Sequence, residues 1–543
     1  MKSYRYIYSK SWLPFLFMGI LLQFAVLNMN AQRFGSFPYE ESFLKGDPGN
    51  ISFPASQISG VPNSADFTDE GLLLTPNIKT SFGAVFINDR RFTSVNGIRV
   101  EFEYMAYGST GAGGDGINMF LLDAKVKNPT IGAHGAGIGY AYNRSYNGIL
   151  KEIDHRKSRM KGLSGAYLGV AFDEFGNYKG LRFQGDSRVG GIPYNGTIQG
   201  TTRGMIGSEY NTRNQVTLRG AKGPVIDASL GLGDGYTGYP VLITQATNDR
   251  NGVEIMPYET NKSIYKTFST YTGNLFTISG GDRFTDDSNE AYRKAIVELY
   301  PVPDDQPVGG FYVTVKIQHG KKTDVLISDY HYKETFWYAE NAYPNGGQGD
   351  NNSTDIIRLE PVYRQLNAHI PDTLRIGFAA STGEETNYHI IKNLRITLPG
   401  GAEAYDDYAE TDQGKVITIL PLDNDLAYNG TIKRDQIGNR DYLVDATFRF
   451  RDVQNKIVPG YTYTNPNEGT WTYDPFFAKV TFMPKPSFYG DAKVDYDIKG
   501  GKYTIDPYLD EAYRSLPATI TVQVNQNPAR DIISNKMVTM DLE

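Results

Sequence analysis

Helix-period segments are scarce in this chain, and short strand-like runs recur along most of it. VNGIRVEFEYMAY (95–107), GINMFLLDA (116–124), YLGVAFDEF (167–175), NQVTLRG (214–220), AIVELYPV (295–302), FYVTVKIQHG (311–320), TDVLIS (323–328), TLRIGFAAS (373–381) and NLRITL (393–398) alternate or stay apolar, then stop at Gly, Asn, Asp or Pro. Runs of this kind predict strands, and this many of them predict two packed antiparallel sheets. PGGAEAYDDY (399–408) reads as a linker. Beyond it, GKVITILPL (414–422), DATFRFRD (445–452), GTWTYDP (469–475), KVTFMPK (479–485), AKVDYDIKG (492–500) and ATITVQV (518–524) predict a second, smaller β-sandwich. Residues 331–368, rich in Tyr and Asn with weak periodicity, read as a surface insertion, and residues 526–543 as a polar tail or linker.

The composition agrees with this reading. A chain of 543 residues is too long for one core. Its 58 Gly and 39 Tyr suit short strands, tight turns and rings packed on sheet faces. A net charge of −7 argues against a broad nucleic-acid-binding surface. Lys2, Arg5 and Lys10 precede the apolar stretch WLPFLFMGILLQFAVLNM (12–29), which predicts a signal peptide over residues 1–31. The competing reading is an N-terminal membrane anchor. Cleavage would remove three positive charges and no acids, and would leave a mature chain without a membrane span at −10. The expected location is therefore secreted, periplasmic or at the cell surface. There is no Cys, so disulfides, thiolate metal sites and a cysteine nucleophile are excluded.

Four stretches stand in a distinctive order: GGDGINMFLLDA (113–124), GAHGAGIGYAY (132–142), AYLGVAFDEFGNY (166–178) and LRIGFAASTGEETNYHIIKNLRIT (374–397). Together they resemble the L-type (legume-like) lectins, especially their bacterial secreted relatives, over roughly residues 35–400. The resemblance implies an all-β concanavalin A-like jelly-roll sandwich that binds carbohydrate without catalysis. It also implies a site where three loops meet. Asp115 would accept from sugar hydroxyls, the Gly135–Ala136–Gly137 backbone would donate, and Asn177 would complete the set. Tyr140, Tyr142 and Tyr178 are candidates for a ring stacked on the sugar, with no ground for choosing among them.

Family members fix this constellation with metals. Here Asp173, the Phe175 carbonyl and Asn177 match the calcium ligands, oxygen donors of mixed type. The neighbouring acids are missing: Ala171, Arg182 and Ser187 stand where the pattern has an acid, an Asp and a His. The transition-metal half is therefore expected to be lost. Calcium is left as the one cofactor, with Asp186 as a further ligand candidate. The alternative for Asp173 and Asn177 is a hydrogen-bonded turn at a strand end. Asp115 in GGDG likewise has a plain turn reading.

Other chemistry is weaker. EIDHRK (152–157) places Glu152 and Asp154 on one side of an extended segment, as in some jelly-roll glycosidases, but Lys157 stands where a second glutamate is needed. His134, His155, His319, His331, His369 and His389 form no metal-binding spacing. The segment 403–525, with DDYAETDQGKVITILPLDNDLAYNG, GTWTYDP, FYGDAKVDYDIKG and ATITVQV, resembles the cadherin-like and immunoglobulin-like modules of bacterial adhesins, which serve as spacers. Asp423 and Asp425 are a cation or turn pair. The expectation is an exported, non-enzymatic glycan-binding adhesin of open oligomeric state. The alternatives are a structural adhesin that holds a protein partner and, behind it, a polysaccharide-degrading hydrolase.

Overall fold

The computed structural model describes residues 37–526, except 59, 88–90, 112, 143–159, 180–212, 227–232, 251, 256–264, 270, 304–305, 341–361, 428–437 and 502–512. The expected signal peptide, EIDHRK, Arg182, Asp186, Ser187 and almost all of the expected tail lie outside these residues. The chain divides into two compact units, Tyr39–Pro399 and one made of Gly400–Glu543 with Met1–Pro38. Both are all-β, as the strand pattern predicts. Among the described residues no helix is long and apolar enough to cross a membrane.

The first unit is a sandwich. One sheet runs in the order Lys322–Lys333, Gly310–His319, Arg293–Pro301, Ile98–Tyr107, Tyr388–Thr397, Gly71–Thr75, Asp66–Thr68. The other runs Tyr265–Phe268, Gly252–Ile255, Val241–Ala246, Gln215–Arg219, Ala166–Asp173, Gly116–Asp123, Thr373–Ser381, Phe82–Ile87, Ile51–Ser52. Aromatic side chains join the two sheets. Phe102 of the first meets Phe172 and Phe378 of the second edge-on, with centroids 5.7 and 5.0 Å apart. All three rings are buried, and their burial and edge-on contact help hold the two sheets together.

Of the expected insertion 331–368, residues 341–361 lie outside the described residues, and its two flanks form strands. Strand Lys322–Lys333 runs into them, and Thr335–Glu340 pairs with Val362–Asn367. Tyr332, Phe336, Tyr338 and Leu366 are buried, so these aromatics are core residues and not a surface loop's decoration.

The second unit has two four-stranded sheets, Asp407–Asp412, Ala518–Asn525, Gly490–Lys499, Val444–Arg451 and Ile417–Ile419, Lys479–Pro484, Gly469–Asp474, Thr462–Asn465. Phe448 stacks on Tyr473 at 3.8 Å and Trp471 on Phe482 at 4.0 Å inside it. The expected linker ends earlier than 408. Ala402 is buried and Asp407 already pairs with Ile520 in a parallel ladder.

Candidate functional site

The strands Gly116–Asp123, Ala166–Asp173 and Thr373–Ser381 are neighbours, with Gly116 opposite both Asp173 and Ser381. Their ends therefore deliver Asp115, Asp173 and Ser381 to one edge of the sandwich. The Gly114–Asp115 peptide is cis. The Asp115 N–H donates to the Ser381 carbonyl at 2.6 Å, and its own carbonyl accepts from Glu174 N–H (3.0 Å) and Phe175 N–H (3.3 Å). The Gly135 N–H donates to Ser381 Oγ at 2.7 Å. Ser381 thus links the Asp115 turn to the 3₁₀ turn Gly135–Gly137. The GFAASTG block suggested strands here but not this role.

Asp115 is buried, and its Oδ2 has no hydrogen-bond partner among the described residues. Burial raises its carboxyl to about 6, against the pull of the Ser381 hydroxyl and of His389, with the Glu174 charge pushing the same way as burial. Gly383 flanks it: a Cβ there would lie 3.6 Å from Oδ1 and 4.0 Å from Oδ2, in ordinary van der Waals contact.

The turn after Ala166–Asp173 is built by Asp173. Its Oδ1 accepts from Gly176 N–H at 2.6 Å and its Oδ2 from Tyr178 N–H at 2.8 Å. Gly176 has φ 89°, a conformation suited to glycine. Burial pushes the Asp173 carboxyl up; the two N–H groups and Lys179 pull it back. Lys179 is itself 5% exposed, and burial lowers its pKa. Arg219 braces the turn from the other side, donating to the Tyr178 carbonyl (Nη2, 2.7 Å) and the Tyr239 carbonyl (Nη1, 2.6 Å). Asn177 sits within this turn, half-buried, with Oδ1 buried and without a partner among the described residues. No direct bond joins Asn177 to Asp115 or to the Gly135 turn among the described residues.

Several sequence expectations need correction. Tyr140, Tyr142 and Tyr178 are fully buried and cannot stack on a ligand. They fill the molecule instead: a Cβ at Gly169 would lie 2.9 Å from the Tyr140 ring and 2.9 Å from the Tyr178 hydroxyl. Tyr140 also donates to the Gly220 carbonyl at 3.0 Å. Among the described residues, Phe175 in the Asp173 turn is a half-buried ring, with the Arg213 guanidinium 5.5 Å from its centroid. Of the three backbone donors, Gly135 N–H is taken by Ser381 and Gly137 N–H by the His134 carbonyl at 3.2 Å. The Ala136 N–H has no bond to another described residue, so it alone keeps a free proton in this turn. Asp423 is exposed while Asp425 is fully buried, so the two do not form a shared cation site. Among the described residues no group of three or more His, Asp or Glu side chains is disposed to hold a metal.

By donor type, Asp173, the Phe175 carbonyl and Asn177 are oxygens that a hard cation takes: Asn177 Oδ1 lacks a donor among the described residues, while both Asp173 oxygens already accept backbone N–H bonds. Lys179 lies near enough to Asp173 for its charged form to pull the carboxyl down, while burial pulls Lys179 toward its neutral form.

An open cavity of ≈ 430 Å³ lies elsewhere in the unit, lined by Glu70, Met105, Arg283, Phe284, Asn289 and Lys392 among others. Arg283 pairs there with Glu70 at 2.6 Å, and Lys392 lies over the Phe284 ring at 4.5 Å. The unpaired acceptors, and not this cavity, mark the candidate site.

No protein-family model and no curated protein matches the chain. Among solved structures it is similar to the VIP36 exoplasmic/lumenal domain in a Ca²⁺/Man3GlcNAc-bound form, at 11% identity and TM-score 0.28, covering 65% of this chain and 85% of that one. It is similar to the metal-free form of lectin I-B4 from Griffonia simplicifolia at 12% identity and TM-score 0.28, covering 67% and 99%. It is similar to peanut lectin with a nine-residue peptide at 13% identity and TM-score 0.28, covering 66% and 95%. The sandwich stands on its own strand pairing, and these likenesses decide neither ligand nor metal.

Proposed function

We propose that the first unit binds glycans at the mouth formed by Asp115, Ala136, Phe175, Asn177 and Gly383, without catalysis. The observation that carries this reading is the pair of buried acceptors without donors, Asp115 Oδ2 and Asn177 Oδ1. Leaving such groups unpaired costs about 1–3 kcal/mol each. Sugar hydroxyls supply the missing donors and accept in return from the Ala136 N–H, while the Phe175 ring faces the apolar side of the sugar. A calcium ion held by Asp173, the Phe175 carbonyl and Asn177 Oδ1 would take up that acceptor in place of a sugar hydroxyl, order this loop and leave the Asn177 Nδ2 donor for the ligand. Export through residues 1–31 and an adhesin role for the whole chain, with the second unit as a spacer, belong to the same proposal.

The test is an array of mannose-, galactose-, glucose-, fucose- and sialic-acid-terminated glycans probed with wild type and Asp115→Ala, with and without EDTA. Retention of one glycan class by wild type and its loss in Asp115→Ala is expected, and calcium dependence shows as recovery on adding Ca²⁺ after chelation. Equal retention by both proteins would remove the site. A second reading, a protein partner at the same mouth, draws on the burial of all three candidate tyrosines. Capture of a protein partner that survives both free sugars and Asp115→Ala would favour it.

A further inference from the structure

Behind Asp115 lies a polar bridge that crosses the sandwich. Glu174 follows strand Ala166–Asp173 directly and is 3% exposed. Its Oε1 meets His389 Nε2 at 2.9 Å, and its Oε2 accepts from Asn387 Nδ2 at 2.5 Å. His389 stands on Tyr388–Thr397 in the opposite sheet and is fully buried, with its Nδ1 2.6 Å from Thr75 Oγ1 on the adjacent strand Gly71–Thr75. Asn387 Oδ1 accepts from the Ser109 N–H at 2.9 Å. Every polar atom of the Glu174 side chain therefore has a partner, and the partners come from the other sheet.

The Asp115 turn rests on this bridge. The Glu174 N–H donates to the Asp115 carbonyl at 3.0 Å. Gly113 passes so close that a Cβ there would lie 2.4 Å from Asn387 Nδ2 and 2.6 Å from Glu174 Oε2. The turn is thus pressed against the carboxylate on one side and bonded to its backbone on the other. A buried carboxylate–imidazole pair contributes little net stability compared with apolar residues of the same volume, and its best-attested use is to fix one arrangement among several.

We propose that Glu174, held by His389 and Asn387, is a positioning residue for glycan recognition, fixing the Gly113–Asp115 turn so that the Asp115 carboxylate stays against Ser381. This inference rests on the glycan-binding reading above. It assigns a function to a side chain that the carbohydrate-site resemblance leaves without one.

The experiment uses the full chain and the glycan retained on the array just described. Glu174→Gln keeps the shape of the side chain but removes one acceptor and the charge. It is expected to weaken that glycan about tenfold while circular dichroism shows the protein fully folded at the assay temperature, and to raise amide exchange in peptides spanning Asp115 but not in Ile98–Tyr107. Asn387→Asp sets two carboxylates face to face and is expected to do the same. The N387D/E174Q double variant restores a donor facing an acceptor and is expected to recover affinity to within about threefold of wild type. Unchanged affinity and unchanged exchange around Asp115 in Glu174→Gln, with only a lower melting temperature, would overturn the inference and leave the glycan reading intact. If wild type retains no glycan, the glycan reading falls. The exchange data then decide the positioning claim alone: faster exchange around Asp115 supports it, and no change rejects it.

Discussion

Each unit of the molecule buries a cluster of acids at its strand ends, and the two clusters solve that problem differently. In the first unit the Glu174 and Asp173 carboxylate oxygens are supplied with donors. Glu174 takes His389 and Asn387, and Asp173 takes the Gly176 and Tyr178 N–H groups. At the candidate site the surplus is Asp115 Oδ2, next to the side-chain-free flank at Gly383, and Asn177 Oδ1 in the neighbouring turn; Asn50, Asn77, Asn118 and Asn248 each bury an Oδ1 without a donor elsewhere among the described residues of the unit. In the second unit four acceptors surround one hydroxyl. Tyr496 Oη lies 2.9 Å from Asp425 Oδ2, 3.0 Å from the Pro421 carbonyl, 3.2 Å from Asp407 Oδ2 and 3.3 Å from the Tyr405 carbonyl. A phenol has one proton to give. The cluster favours the protonated acids: burial raises Asp425 to about 7, and burial with the Asp425 charge raises Asp407 to about 7. The two clusters therefore differ in what answers the shortfall: a phenol and raised carboxyl pKa values in the second unit, and no group of the described residues at Asp115 Oδ2.

The largest effect that would break this comparison is occlusion of the open flank. Gly383→Leu places a side chain over Asp115 without a backbone clash. Glycan affinity should fall about a hundredfold, the upper end for a hydrogen bond to a charged group, with the melting temperature unchanged. Retained affinity in a titration would show that the ligand approaches elsewhere.

Next comes Tyr496→Phe, which removes the only hydroxyl among four acceptors. The second unit should lose about 1–3 kcal/mol, read as faster amide exchange in Gly490–Lys499. Unchanged exchange there would mean that the cluster is satisfied by other means.

A smaller effect is the pH dependence of binding. In calcium-free buffer glycan affinity should hold above pH 7 and fall as pH drops through about 6, where Asp115 takes up a proton and ceases to be a pure acceptor. A flat profile from pH 5 to 8 would exclude Asp115 from the contact.

The smallest effect concerns Asp407. Asp407 and Asp425 bind protons more tightly in the folded chain than at the ordinary carboxylate value of 3.8. Their contribution to stability is complete below that value and is lost as pH rises through about 7. Asp407→Asn should therefore slow exchange in the second unit at pH 8 and leave it unchanged at pH 4, once the intrinsic pH dependence of exchange is corrected.

Much of the fold was legible because alternation in the sequence mirrors sheet faces. GTWTYDP and ATITVQV alternate, and both strands alternate buried with less buried residues. FGAVFI (82–87) escaped notice because it is buried on both faces and has no alternation. DYAETD (407–412) escaped because an edge strand can be polar, its pairing supplied by the distant Ala518–Asn525.

The site was legible only where the residues lie in short motifs. Asp115, the Gly135 turn and the Asp173 turn could be named from GGDG, HGAGIG and FDEFGN. The burial of Tyr140, Tyr142 and Tyr178 could not, because loops that fold over Gly169 decide it. Nor could the partner of Glu174, since His389 lies 215 residues away in sequence.

The central claim, that the unpaired acceptors at Asp115 and Asn177 receive sugar hydroxyls, is tested most directly by calorimetric titration of the array-selected glycan into wild type and an Asp115→Ala/Asn177→Ala double variant. Saturable binding by wild type, with affinity reduced at least about hundredfold in a double variant of unchanged melting temperature, is the expected result. Equal affinity for the two proteins would contradict it.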